Sequence, residues 1–315
     1  MKSSGLQKTS HQQRVSIDLT AVLIAVTDDE PRIMTRNHGR KLPSGPLQTE
    51  HRSLQQGLRS WVEVQTHHPL GYIEQLYTFA DRDRRQNESQ DEASDDYWIT
   101  LSYLALTREQ PTNSEVTWQN LYDYLPWEDF RHGRPTILDE AILPRLQIWA
   151  EQGDAHLHSR RQQRIAIAYG TSQAWSDEAV LQRYEILFEA GLVEEARSES
   201  PLALTGRSMN WDHRRILATA LARLRAKIKY RPVVFELLPE DFTLTELQRG
   251  VEALSGQKLH TQNFRRQIEQ QNLVEETGRL APRTVGRPAQ LMRFRRDIVL
   301  QRAIAGTKPP YNREH

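Results

Sequence analysis

TLTELQRGVEALSGQKLHTQNFRRQIEQQNLVEET, residues 243–277, reads as two short helices followed by a strand. Thr243 and Glu246 have the spacing of a capping box, in which each satisfies a backbone donor that the first helical turn leaves open. Leu244, Leu247, Val251 and Leu254 then recur on one helical face, and Ser255-Gly256 supplies the stop. A second helix begins near Thr261 and turns Phe264 and Ile268 inward. Two short helices joined by a tight glycine-containing turn make a helix-turn-helix. Beyond them, Leu273–Thr277 and Gln290–Phe294 alternate as strands around GRLAPRTVGRPA, a Gly/Pro/Arg-rich tip that reads as a wing.

With Phe264 and Ile268 inward, helical geometry sends Gln262 and Arg266 nearly opposite and leaves Asn263, Glu269 and Gln270 on the flanks. Gln, Asn and Arg can make paired hydrogen bonds to base edges in a major groove. The DNA-contact candidates are therefore Gln262, Asn263, Arg265 and Arg266, with Thr245 on the first helix. Arg283 and Arg287 at the wing tip suit phosphate or minor-groove contact, which adds affinity and salt dependence more than sequence information. The charge distribution agrees: between Thr261 and Leu300 there are eight arginines against four acids, in a chain whose net charge is only +1. The competing reading is a solvated basic face on a winged helix that binds protein partners.

A length of 315 residues with 37% hydrophobic content suits two cores. The absence of cysteine excludes disulfides, thiolate metal sites and a cysteine nucleophile, and fits a reducing cytoplasm. No run reaches the roughly 18 apolar residues of a membrane helix. The first 14 residues carry charge without an apolar core, as expected of a flexible N-terminus and not of a signal peptide.

Residues 15–26, VSIDLTAVLIAV, read as a buried strand that turns at Asp28-Asp29-Glu30-Pro31 into a second strand. Ser53 begins a helix with a core face of Leu54, Leu58, Trp61 and Val62, and alternating strands follow at 71–79 and 97–106 on either side of an acidic insert, NESQDEASDD. This order is α+β. ILDEAILPRLQIWAE and AWSDEAVLQRYEILFEAGLVEEA read as helices, the second starting near Asp177 and ending at Gly191. After Asp212, a stripe of Ile216, Leu217, Ala220, Leu221, Leu224 and Ile228 predicts a helix that joins two domains and pairs with its copy in a dimer, with arginines and lysines covering the remainder. The expected organisation is a flexible N-terminus at 1–14, a sensing domain with a helical insert at 15–205, a linker helix at 206–230, a winged helix at 231–300 and a tail at 301–315.

LPSG followed by SLQQGLRSWVEVQT, within residues 42–66, resembles the Nudix box, and GYIEQLYTFADRDR resembles the strand after the box in Nudix-related regulators. In that family an arginine and a glutamate cluster hold a divalent metal at a pyrophosphate. Anchored on Thr66, the metal-binding positions fall on Trp61, Val64 and Gln65; anchored on Gly45, Arg59 and Glu63 survive but their acidic neighbours become Ser60 and Val64. Neither register rebuilds a metal site, so the expectation is nucleotide binding without hydrolysis: no catalytic residue, no metal and no required cofactor. The residues from LLPEDF through GRPAQLMRF resemble the C-terminal winged helix of the NrtR/NadQ-type regulators of NAD metabolism. Together the resemblances imply a Nudix-like α/β/α sandwich followed by a winged helix-turn-helix. They also imply a dimeric repressor of NAD-biosynthesis genes that binds double-stranded operator DNA under control of NAD, ADP-ribose or ATP. Arg40, Gly45, Arg59, Glu74, Arg82, Trp127 and Arg131 are the ligand-binding candidates, the last two because an aromatic face beside an arginine suits an adenine and its phosphates. The alternative is an active hydrolase of ADP-ribose-like substrates with Glu50, Glu63 and either Glu74 or Asp81 at the metal.

Overall fold

The computed structural model describes residues 15–66, 72–80, 97–111, 115–171, 174–196, 205–230, 233–282 and 288–295. Strand β1 (Val15–Thr27) turns through Asp28 and Asp29, both at positive φ, into antiparallel β2 (Glu30–Arg36). The short β3 (Ser44–Pro46) pairs with the first half of β1, and helix α1 (Leu54–Thr66) follows. Strands β4 (Tyr72–Phe79) and β5 (Tyr97–Leu106) pair antiparallel, β5 runs parallel to β1, and β6 (Val116–Asn120) closes the far edge against β2. The sheet order is β4-β5-β1-β2-β6, with β3 beside β1. Leu19 to Ala25 of β1 are all buried, as a central strand covered on both faces requires.

The two faces carry separate cores. On one, Leu58 and Val62 of α1 cover Leu19, Ala21, Leu23, Met34 and Tyr103. On the other, Val22, Ile24, Ile33 and Leu104 pack into a helical layer. That layer contains α2 (Leu143–Glu151), entered through a π-helical turn at Leu138–Ile142, then α3 (Ala155–Tyr169), α4 (Val180–Glu189) and α5 (His213–Tyr230). Helix α3 was not anticipated, because its apolar residues are sparse among arginines and glutamines. Its end signals were nevertheless present: the Asp154 side chain accepts from the Leu157 amide at 2.8 Å, and Gly170 closes the helix at φ 66°. Helix α4 starts three residues after the expected Asp177.

Ile216, Leu217, Ala220, Leu221 and Leu224 of α5 form a buried face as read, but they are covered within the one chain by the helical-layer core, so this stripe is not the face that could pair with a second copy. The expectation that basic residues cover the rest of α5 fails at Arg214 and Arg225, which are buried too. Each has internal acceptors. Arg214 donates to the Tyr124 carbonyl at 2.8 Å and to Glu195 at 3.2 Å. Arg225 donates to the Glu128 carboxylate at 2.6 Å and to the Glu128 carbonyl at 2.9 Å, while Arg183 of α4 binds both oxygens of the same carboxylate at 2.6 and 2.7 Å.

The C-terminal unit comprises β7 (Asp241–Thr243), α6 (Leu244–Ser255), α7 (Thr261–Gln271), β8 (Val274–Leu280) and β9 (Gln290–Phe294), with sheet order β7-β9-β8. The capping box at Thr243 and Glu246 forms as read. The last turn of α6 docks against the first domain: Tyr122 Oη donates to the Ala253 carbonyl and the Phe130 amide to the Gly256 carbonyl, each at 2.7 Å. Gly256 sits at φ 70°, where a Cβ would stand 2.4 Å from the Glu128 carbonyl oxygen, so glycine is required on both counts.

Burial alone would raise the Glu128 carboxyl, but the Arg183 and Arg225 guanidiniums outweigh it and hold it below the usual carboxylate range. A depressed folded value gives a stability contribution that is complete above the unfolded value, about 4.3, and is lost as pH falls through the folded one. Glu128→Gln is therefore expected to cost about 3 kcal/mol or more in urea denaturation at pH 7, because it strands two buried cations. The same variant should flatten the loss of stability below about pH 4.

Candidate functional site

The box loop is bound to its helix by side-chain to backbone hydrogen bonds. Gln65 accepts from the Ser44 amide at 3.2 Å and donates to the Ser44 carbonyl at 2.7 Å. Trp61 Nε1 donates to the Pro46 carbonyl at 2.7 Å, and a Cβ at Gly45 would fall 2.3 Å from the Trp61 ring. Gly45 thus allows close approach of the strand to the helix. Glu50 and Glu63 are exposed, and among the described residues no group of three His, Asp or Glu side chains converges.

A cavity of about 550 Å3 opens at the other end of the same sheet face, lined by Thr27, Glu109, Gln110, Pro111, Thr117 and Trp118. The sheet positions behind Trp118 follow from strand alternation. Ala25 and Ala105 are small, Met34 stands opposite Trp118, and Arg36 stands opposite Val116, all on this face. Arg32, paired in register with Ala25, places its Nε 3.6 Å from Glu109 Oε2. Arg32 Nε, Arg36 Nε, Tyr103 Oη and Glu109 Oε2 are buried without a hydrogen-bond partner among the described residues. Burial raises the Tyr103 phenol, keeping it a neutral donor. Arg32 and Glu109 are nevertheless an ion pair, and Arg32 Nη2 donates to the Trp118 carbonyl at 3.1 Å, so Arg36 Nε and Tyr103 Oη are the two of these atoms with neither kind of partner, and buried polar atoms are nearly always paired. Two guanidiniums suit a diphosphate, and a carboxylate beside them suits hydroxyl groups. Trp118, whose Nε1 donates to the Gln110 carbonyl at 3.2 Å, is held as a wall.

Reading the sequence did not nominate these residues. The available signal was the strand EPRIMTR, whose arginines share the parity of buried Met34. The residues it did nominate are dispersed. Gly45 and Arg59 lie on the α1 side. Glu74 is in register with Leu104 on the opposite face, where it pairs with Lys227 of α5. Trp127 is fully buried in the core of the helical layer. Arg131 is held by Asp129 and Glu30, both at 2.8 Å, and Arg40 bonds Asn210 and Glu194. Packing therefore accounts for Glu74, Trp127 and Arg131. Arg82 and Asp81 lie outside the described residues.

The second candidate surface is α7. Phe264 is buried beneath it, while Gln262, Asn263, Arg265 and Arg266 are exposed together, with Arg266 Nη2 3.5 Å from Asn263 Oδ1. Thr245 is exposed on the first turn of α6. Buried Glu252 braces the turn between the helices: it accepts from the Leu259 amide at 3.0 Å, from Gln248 at 2.9 Å and from Lys258 at 2.8 Å. Arg279 and Arg293 both pair with Asp241, so these two of the eight arginines fasten the wing sheet. Arg283, Arg287 and Arg296 lie outside the described residues.

Residues 234–294 match the family model of the NrtR DNA-binding winged helix domain. The C-terminal unit is thus similar to that winged helix domain. The "ADPR responsive transcriptional repressor NtrR" of Acinetobacter baylyi is 42% identical over 86 residues, a match spanning 27% of this chain and 33% of that repressor. Shewanella oneidensis NrtR, solved in complex with a 27mer DNA, is similar over 89% of this chain and 94% of its own at TM-score 0.54 and 22% identity. A MutT/nudix family protein from Enterococcus faecalis is similar over 92% of this chain and 90% of its own at TM-score 0.51 and 18% identity. The fold is Nudix-like α/β followed by the NrtR-type winged helix, the architecture that the two sequence resemblances implied.

Half-buried Arg36, whose Nε lacks a hydrogen-bond partner, and fully buried Arg183 separate experimentally. Arg36→Met is expected to leave the thermal midpoint unchanged or raise it, since the variant removes a polar group without a partner. Arg183→Met, which leaves Glu128 short of a counter-ion, should lower stability by several kcal/mol, roughly 3–5. Equal destabilisation by the two in thermal denaturation would contradict the assignment of Arg36 to a ligand surface.

Proposed function

We propose that this chain is a DNA-binding transcriptional repressor whose Nudix-like domain senses ADP-ribose in the cleft beside Trp118 and Glu109. The observation that carries the reading is the likeness of residues 234–294 to the NrtR winged helix domain, with a polar, basic α7 surface, joined to a Nudix-like fold whose cleft is lined by Glu109 with Arg32 3.6 Å from it. Gln262, Asn263 and Arg266 would read base edges, with Arg265 and Thr245 at the backbone, and Arg283 and Arg287 on the wing would contact phosphate. Arg32 and Arg36 would take the effector's diphosphate, and Glu109 its ribose hydroxyls. ADP-ribose is preferred over NAD and ATP because the Acinetobacter relative is named for it. The rest of the reading follows from the family resemblance: a homodimer acting in the cytoplasm on a palindromic operator of NAD-biosynthesis genes. The box architecture favours binding over turnover, with Trp61 and Gln65 committed to backbone contacts where a hydrolase keeps metal ligands.

Fluorescence anisotropy with the promoter DNA of the NAD-biosynthesis genes, against a scrambled duplex, tests this directly. Specific binding shifted by ADP-ribose more than by NAD or ATP is the expected outcome. Equal affinity for promoter and scrambled DNA at moderate salt would overturn it. Within that assay, Arg266→Ala should lose about 1–3 kcal/mol on the promoter site and little on scrambled DNA. Magnesium-dependent breakdown of ADP-ribose would favour the hydrolase instead.

A further inference from the structure

Cleft and winged helix meet at the tip of the β1–β2 hairpin. Thr27 lines the cleft, and the next residues form the left-handed turn Asp28-Asp29. Asp29 Oδ2 lies 3.2 Å from Arg249 Nη1 of α6, and the Asp29 carbonyl accepts from Arg131 Nη1 at 2.6 Å. Arg131 also holds Glu30 at 2.8 Å and both oxygens of Asp129 at 2.8 and 2.9 Å, so one guanidinium clamps the tip to the 129–131 loop. That loop in turn bonds the end of α6 through Phe130 and Gly256. Two residues beyond Glu30, Arg32 forms an ion pair at 3.6 Å with Glu109, which lines the cleft.

We propose that this hairpin tip transmits occupancy of the cleft to the winged helix, with Arg131 as the clamp and the Asp29–Arg249 pair as the contact that moves α6. The inference rests on reading the cleft as the effector site. An anionic ligand competes with Glu109 for Arg32, and Arg32 shares a short, stiff strand with the tip. The C-terminal end of α6 is fixed by Tyr122, Arg225 and Phe130, so displacement at Arg249 tilts α6 about that end and carries α7 with it. Only a ligand that binds the two tilts unequally shifts DNA affinity.

The test uses the full chain, ADP-ribose and the promoter duplex, with Arg249→Gln and Arg131→Lys. Arg249 is exposed, so its substitution leaves the fold intact. Calorimetry should give ADP-ribose affinity within about twofold of wild type for Arg249→Gln without DNA, and anisotropy an equally unchanged DNA affinity without ADP-ribose. The ratio of DNA affinities with and without ADP-ribose, expected at about 5–150-fold in wild type, should fall toward 1 in both variants. If wild type responds and both variants keep the full ratio, the hairpin route is overturned while the sensor reading stands. If wild type does not bind ADP-ribose, the sensor reading fails and the inference fails with it.

Discussion

One carboxylate inside two guanidiniums organises this molecule. Glu128 sits in the loop after β6, Arg183 on α4 and Arg225 on α5, and all three are buried. Desolvating three charges is costly, and apolar residues of equal volume would often serve stability as well or better. The cluster therefore acts chiefly through position. It ties the loop after β6, the helical insert and the connecting helix together, and Arg225 extends it to the Leu254 carbonyl at the end of α6. The winged helix is thus set against the Nudix-like domain by directional hydrogen bonds in a low-dielectric core, where misplacement is heavily penalised.

The sheet shows a similar division of labour. Its α5 face is a packed core that receives the helical layer and the winged helix. The α1 face carries a smaller core at one end and the cleft at the other. The box helix has kept its scaffold role: Gly45 admits Trp61, and Gln65 grips Ser44. Those contacts bind loop to helix without a metal. Arg36 Nε and Tyr103 Oη, without hydrogen-bond partners, lie on that face with the Arg32–Glu109 ion pair.

Local patterns were legible in the sequence and long-range pairing was not. The capping box at Thr243, the glycine stop at Gly256, the inward Phe264 and the buried stripe of α5 follow from spacing alone, because each is decided within a few residues. Helix α3 escaped because its apolar face is thin. Strand β7 is only three residues long and exists through its pairing with β9. The cleft escaped for a related reason: Arg32 and Glu109 meet only once β2 and the end of β5 are placed in one fold. Burial of Arg214 and Arg225 was equally invisible, since an arginine on an amphipathic helix reads as solvent-facing until its acceptors are known. Assigning Trp127 and Arg131 to a ligand followed composition, whereas packing and ion pairing explain both.

The proposed pairing of effector sensing with DNA binding requires a free-energy link between two sites, and such a link is reciprocal. The most direct measurement is the affinity for ADP-ribose, by calorimetry, with and without saturating promoter duplex. The two affinities are expected to differ, by the same factor by which ADP-ribose changes DNA affinity. Identical ADP-ribose affinities in the two titrations would contradict it.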